Sequence, residues 1–165
     1  MATTYEAIQT TTLGSAAAFI DFTSIAASWT DLRVVLVAKP TTTGDNALLR
    51  FNSDTTSNYS NTNLIGNGST ASSGRSTSSG SLLLDYTGLT TANPSLYEID
   101  IFSYAGSTNK TVLVKTSEDK NGSGDTRVAV GLWRNTSAIT TIRLYQGSYT
   151  FAIGTTATLY GIKAA

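Results

Sequence analysis

Apolar positions along this chain recur at a period of two, and no stretch sustains helical spacing. The clearest segment is Leu32-Arg33-Val34-Val35-Leu36-Val37-Ala38. Leu32, Val34 and Leu36 fall on one face, with Arg33, Val35 and Val37 on the other. Two mostly apolar faces suit a central strand. Tyr5-Glu6-Ala7-Ile8-Gln9 alternates weakly, and Ala17-Ala18-Phe19-Ile20-Asp21-Phe22 is a second short candidate. Pro40, which cannot donate to a ladder, and the turn signal Gly44-Asp45 close the strong strand before Leu48-Leu49-Arg50-Phe51 resumes.

Residues 52–81 are almost wholly Asn, Ser, Thr and Gly, with Tyr59, Leu64 and Ile65 as apolar anchors. The composition is that of a flexible linker. A loop that long inside a compact domain is uncommon, so short strands paired through backbone and hydroxyls are expected there. Downstream the pattern is a meander. Tyr97, Ile99 and Ile101 oppose Glu98, Asp100 and Phe102, and Val112 and Val114 flank Leu113. Val128, Val130 and Leu132 oppose Ala129, Gly131 and Trp133. Ile142 and Leu144 follow, and Thr158, Tyr160 and Ile162 then oppose Leu159. Turn signals at Gly106, Asn121-Gly122, Asn135, Gly147 and Gly154 separate these runs. The pattern predicts an all-β, antiparallel β-sandwich, jelly-roll-like, with about 8–10 short strands. Residues 1–15 are expected as an N-terminal arm or edge strand, and 16–165 as a single β-sandwich domain.

Composition narrows the chemistry. Of 165 residues, 29 are Thr and 20 are Ser, while only 13% are charged. Lys+Arg and Asp+Glu both number 11, so no basic field attracts nucleic acid or a lipid surface. Without cysteine or histidine there are no disulfides, thiolate or imidazole metal sites, thiol nucleophiles or Ser-His-Asp triads. Met1-Ala2-Thr3-Thr4-Tyr5-Glu6 lacks the features of a signal peptide, and Val34 to Ala38 is far too short to span a bilayer.

The remaining motifs have plain structural explanations. Glu98 and Asp100 share a strand face as paired carboxylates would, but no partner across a cleft can be assigned. Asp119-Lys120-Asn121-Gly122-Ser123-Gly124-Asp125 spaces its oxygens like a calcium loop, yet Val130 stands where the bidentate acid belongs. A hairpin turn at Asn121-Gly122 explains it more simply. Gly66-Asn67-Gly68 lacks the lysine and helix of a phosphate loop. Trp133 alternates with Ala129 and Gly131, which leave room for an indole in the core. Trp29, Trp133 and the tyrosines are the rings that could stack on sugars, with the core the favoured place for Trp133. Arg33, Arg50, Arg127, Arg134 and Arg143 are scattered through strands, where isolated arginines can anchor an interface.

Asp21-Phe22-Thr23-Ser24-Ile25 and Trp29-Thr30-Asp31-Leu32-Arg33-Val34-Val35 resemble the opening of a family of small virion structural proteins of tailed bacteriophages, common in phages of cyanobacteria. Arg50-Phe51-Asn52-Ser53-Asp54, Asn58-Tyr59-Ser60, Gly66-Asn67-Gly68-Ser69 and Ala157-Thr158-Leu159-Tyr160-Gly161-Ile162 carry the likeness most specifically. Asn109-Lys110-Thr111 and Gly131-Leu132-Trp133 support it. It covers roughly residues 16–163. The resemblance implies a virion structural component, not an enzyme, with no catalytic residues; no metal or cofactor is expected. Some members look like head decoration (cement) proteins, and others are domains of tail or fibre proteins. The chain carries no shaft repeat, which favours decoration.

The expectation is therefore a homo-oligomer, with a trimer favoured, on the capsid surface of the virion, bound to the major capsid protein. No nucleic acid or membrane is expected as partner. The alternative is a tail or fibre-associated module that binds a host glycan. Candidate partner-binding residues are Tyr5, Ile8, Trp29, Arg50, Tyr59 and Arg75. Tyr5 and Ile8 lie in the arm, which could add a strand to a neighbour's sheet.

Overall fold

The computed structural model describes residues 4–163, in which no helix forms. Its strands are β1 (Tyr5–Thr12), β2 (Phe19–Phe22), β3 (Asp31–Ala38), β4 (Ala47–Phe51), β5 (Tyr59–Gly66) and β6 (Ala71–Ser79). They continue with β7 (Leu82–Leu83), β8 (Ser95–Phe102), β9 (Lys110–Asp119), β10 (Gly124–Trp133), β11 (Ile142–Gln146) and β12 (Thr156–Ile162). One sheet has the order β1-β12-β3-β8-β9-β10-β5-β6 and the other β2-β11-β4-β7, and every pairing is antiparallel. The two sheets pack as a β-sandwich.

Alternation explains the core. Leu32, Val34 and Leu36 of β3, Tyr97, Ile99 and Ile101 of β8, and Val112 and Val114 of β9 all point inward. They meet Ile20 and Phe22 of β2, Leu49 and Phe51 of β4, and Ile142 and Leu144 of β11. β3 is central in its pairing, between β12 and β8. Its second face is nevertheless an outer one: Arg33 and Val35 are half-buried and Val37 is exposed.

Among the described residues twelve strands stand where eight to ten were expected. The β5–β6 hairpin, in the linker-like segment, accounts for the two beyond ten; like the β9–β10 hairpin at the expected Asn121-Gly122 turn, it extends the large sheet. In β9–β10, Asn121 and Gly122 take φ of 62° and 102°, and Lys120 N donates to Ser123 O at 2.7 Å. This is the left-handed pair that a two-residue hairpin needs. The β5–β6 hairpin occupies the linker-like segment. Asn67 Oδ1 accepts the amides of Ser69 (3.0 Å) and Thr70 (2.8 Å), and Gly68 takes φ 84°. β6 reads Ala-Ser-Ser-Gly-Arg-Ser-Thr-Ser-Ser; as an edge strand with most of its residues exposed, it needs no apolar face.

Three polar side chains pin the loops. Lys110, fully buried, donates from Nζ to the carbonyls of Gly106 (2.7 Å), Thr108 (2.5 Å) and Thr136 (3.3 Å). Burial pulls its pKa below the ordinary lysine value. Asn52 accepts the amides of Thr140 (2.9 Å) and Thr141 (3.0 Å) at Oδ1 and donates to Ala138 O. Asp45 accepts the amides of Ser148 (2.6 Å) and Tyr149 (2.9 Å). Such ties supply the backbone partners that irregular segments lack.

β1 pairs with β12 of its own chain from Tyr5 to Thr12, with a bulge between Ala7 and Gln9. Hydroxyls match across the pair, Thr10 with Thr158 and Thr12 with Thr156, each at 3.1 Å. Deleting residues 2–12 therefore removes an edge strand of this chain's own sheet. Its side chains are almost all exposed, so little apolar burial goes with it. The lost backbone bonds, about 0.5–1.5 kcal/mol each, are offset by about 1–2 kcal/mol per residue of ordering entropy no longer spent. The deletion should shift urea-measured stability only slightly. It should bare the β12 edge and produce concentration-dependent self-association in sedimentation. A deletion variant that stays monomeric at high concentration would show that β12 is protected by something else.

Candidate docking surface

The small sheet covers one face of the large sheet and leaves the other as a broad outer surface. Alternation decides which side chains reach it. On β10, Ala129, Gly131 and Trp133 face inward. A Cβ at Gly131 would come within 2.7 Å of Leu82 Cδ2, so the inward positions stay small where β7 packs onto the strand. The larger residues Val128 and Val130 consequently point out, 46% and 52% exposed, with Leu132 half-buried beside them. Val128 stands opposite Leu64 of β5, which is 58% exposed, and Val130 stands opposite Thr62 of β5 and Leu113 of β9.

Elsewhere on this face Val37 of β3 and Leu96 of β8 stand opposite each other, both exposed, and Phe102 is exposed too, while the charged groups are internally satisfied. Arg33 Nε donates to Asp100 Oδ1 at 2.5 Å, and that hydrogen bond holds the guanidinium above its usual pKa. Lys115 Nζ lies 3.8 Å from Glu98 Oε2. The two carboxylates that could have formed an acid–base pair are thus each held by a cation. Tyr5 stacks on Tyr160 at 4.7 Å, with Arg33 5.9 Å from its ring.

At the β5–β6–β10 end the balance changes. Arg75 Nε donates to Thr62 Oγ1 at 3.3 Å; Arg134 donates to Ser60 Oγ at 3.2 Å and to Ser57 O at 2.7 Å. Neither guanidinium has an ion-pair partner among the described residues, whereas Arg33, Arg127 and Arg143 all do. Together they flank an open cleft of about 320 Å³ whose floor includes Val130 and Leu132, and no carboxylate lines it.

The candidate residues are not brought together. Tyr5 lies on the β1 edge, and Ile8 sits at the bulge of the same strand, 38% exposed. Arg75 lies on the opposite edge, in β6. Arg50 belongs to the other layer, where it donates to Tyr145 Oη (2.7 Å) and Gly80 O (3.0 Å) and lies 4.8 Å from the Tyr145 ring. Trp29 packs against the core and over Gly161, with Lys163 Nζ 4.8 Å from its ring.

Tyr59 does not face a partner at all. It is fully buried, 6.2 Å from the Trp133 ring, and its hydroxyl accepts the amide of Phe51 at 2.9 Å. Tyr59 starts β5 on its inward face, so its phase places it in the core. Val128, Val130 and Arg134 were visible in the sequence as alternating or scattered positions. The sequence already set Trp133 with Ala129 and Gly131 on the core face, as found; what it did not carry is that the opposite face, with Val128 and Val130, stays uncovered.

The acidic hairpin turn is internally bonded too. Asp119 Oδ1 accepts the amide of Asn121 at 2.8 Å, and Asp125 Oδ2 accepts Lys120 Nζ at 2.7 Å and Thr87 Oγ1 at 2.9 Å. The lysine bond draws the Asp125 carboxyl below its usual pKa. Among the described residues, no three Asp or Glu side chains converge as metal ligands would.

No family model, no characterised protein and no solved structure matches this chain.

Proposed function

We propose that this chain is a structural protein of a bacteriophage particle, a decoration (cement) protein that docks on the major capsid protein and stiffens the shell. It acts by surface contact and not as an enzyme. The observation that carries the reading is the uncovered outer face of the large sheet, with its aliphatic stripe of Leu64, Val128 and Val130. Contiguous apolar surface of this kind, rimmed by polar groups, marks an interaction site.

The strand order supports it. With the hairpins β5–β6 and β9–β10 set aside, the sheets read β1-β12-β3-β8 and β2-β11-β4-β7. The chain crosses between layers at every step except β4 to β7, which is the winding of a double-sheet jelly roll, an architecture of viral capsid and lectin domains. A rigid domain of this type, repeated over a symmetric shell, adds many modest contacts by avidity. A trimer fits a shell of that symmetry.

The glycan-binding alternative has weaker support. Several of its exposed rings are already engaged: Tyr5 stacks on Tyr160, and the Arg143 guanidinium lies 3.9 Å from the Phe19 ring. The test is the copy number in purified particles, by quantitative mass spectrometry against the major capsid protein. A number commensurate with the shell, on the order of hundreds, is expected from closed icosahedral symmetry. A few copies would move the protein to the tail and overturn the decoration reading.

A further inference from the structure

We infer that the β5–β10 seam of the outer face is a receptor for a partner-protein segment that carries an acidic side chain beside aliphatic ones. The inference rests on the docking reading above and names the face and the chemistry it recognises.

Two observations carry it. The first is electrostatic. Arg75 and Arg134 are oriented by the hydroxyls of Thr62 and Ser60 and by Ser57 O, yet have no carboxylate among the described residues. The chain as a whole is neutral, so these positive charges are matched elsewhere on the molecule and not at the cleft. A guanidinium held by neutral oxygens keeps unused donors, and its strongest complement is a carboxylate taken in two parallel bonds. Ser60 and Thr62 are two residues apart on one strand face, about 6.6 Å, so the arginines they orient both flank the same cleft.

The second observation is continuity. From this cleft the same face runs along β5 and β10 to Leu64 and Val128, which stand directly opposite each other and line a second apolar depression of about 190 Å³. Val130 lies between the two, opposite Thr62. An extended segment laid along the seam repeats its side-chain direction every second residue, so an acidic residue over the arginines places positions two and four further on over the aliphatic stripe.

The chemistry separates this ligand from other anions. No aromatic ring lines the cleft, so a sulfated or carboxylated sugar finds the charge but no stacking platform. A nucleic acid finds two cations on a chain of zero net charge, too few for the counterion release that drives such binding.

The test is selection of a random linear peptide display library on the full-length chain, with a sulfated heparin oligosaccharide as a parallel probe. Enriched peptides should carry Asp or Glu with aliphatic residues at alternate positions. Their binding should weaken with salt and fall by about tenfold or more in the R75E/R134E double variant. R75Q/R134Q removes the charge without reversing it and guards against misfolding, which thermal melts check. Enrichment without acidic residues, binding indifferent to both variants, no enrichment, or arginine-dependent binding of the oligosaccharide alone would each overturn the inference. Its failure is distinguishable from that of the decoration reading. Particles that incorporate the double variant at full copy number would leave the decoration reading intact and remove the seam as its receptor.

Discussion

Replacing Trp133 by alanine should cost about 3–5 kcal/mol, the range for emptying a large buried aromatic site. A domain of this size has only about 5–15 kcal/mol in hand, so the variant should unfold at much lower urea or fail to accumulate. Trp133 is fully buried, 5.4 Å from the Phe51 ring and 6.2 Å from that of Tyr59, at the joint between the large sheet and β4. Its Nε1 also donates to Asp54 Oδ2 at 2.7 Å.

Burial alone would raise the Asp54 carboxyl, but bonds from Thr56, Asn58 and Trp133 outweigh it and hold the group well below the usual carboxylate range. A carboxyl lowered in the folded state adds stability that is complete above its unfolded pKa, about 3.9, and is lost as pH falls. Phenylalanine at position 133 keeps most of the ring and removes the donor. W133F should therefore cost about 1–3 kcal/mol near neutral pH, and the deficit should shrink as pH drops through the carboxylate range. Urea unfolding at about pH 7 and at about pH 2, below the usual carboxylate range, with an NMR titration of Asp54, checks this. A deficit of equal size at both would mean that packing, and not the hydrogen bond, is what W133F loses.

How much of this could be read in the residues depended on what the fold asks of each strand. β3, β8 and β12 bury one face under the small sheet, and their alternation is visible without a structure. β6 has no buried side chain, so nothing in it distinguishes a strand from a linker except the improbability of so long a loop. The candidate docking surface was harder still. Tyr59 and Arg75 lie on adjacent strands, yet one falls in the core and the other on an open edge. Only the strand phase, set by the distant packing of β4 and β7, separates them. The arginine cleft is assembled from strands far apart in the chain, and which arginines lack a carboxylate is a property of the fold.

Arg127→Met should be the most damaging change on the polar side of the core, about 3–5 kcal/mol at neutral pH, because it strands buried carboxylates. The Arg127 side chain is 2% exposed and lies 3.4 Å from Asp125, 3.6 Å from Glu118 and 3.9 Å from Asp85, with Thr87 Oγ1 hydrogen-bonded to its Nη2. Without it, those three acids face Lys120 alone, and Lys120 approaches only Glu118 (3.4 Å) and Asp125 (2.7 Å). Asp85 already has its pKa raised by burial, against bonds from Ala47 N and Tyr97 Oη and the pull of Arg127. A carboxyl raised in the folded state favours folding below its unfolded pKa and costs progressively more as pH rises through the folded value. Removing Arg127 pushes Asp85 further up, so the deficit of R127M should be smaller at about pH 4 than at pH 7. An equal deficit at both would assign the loss to packing of the guanidinium stem. The same strand that turns Arg127 inward presents Val128 and Val130 to the outer face. Loosening the ion cluster should therefore also speed amide exchange along β10 ahead of global unfolding.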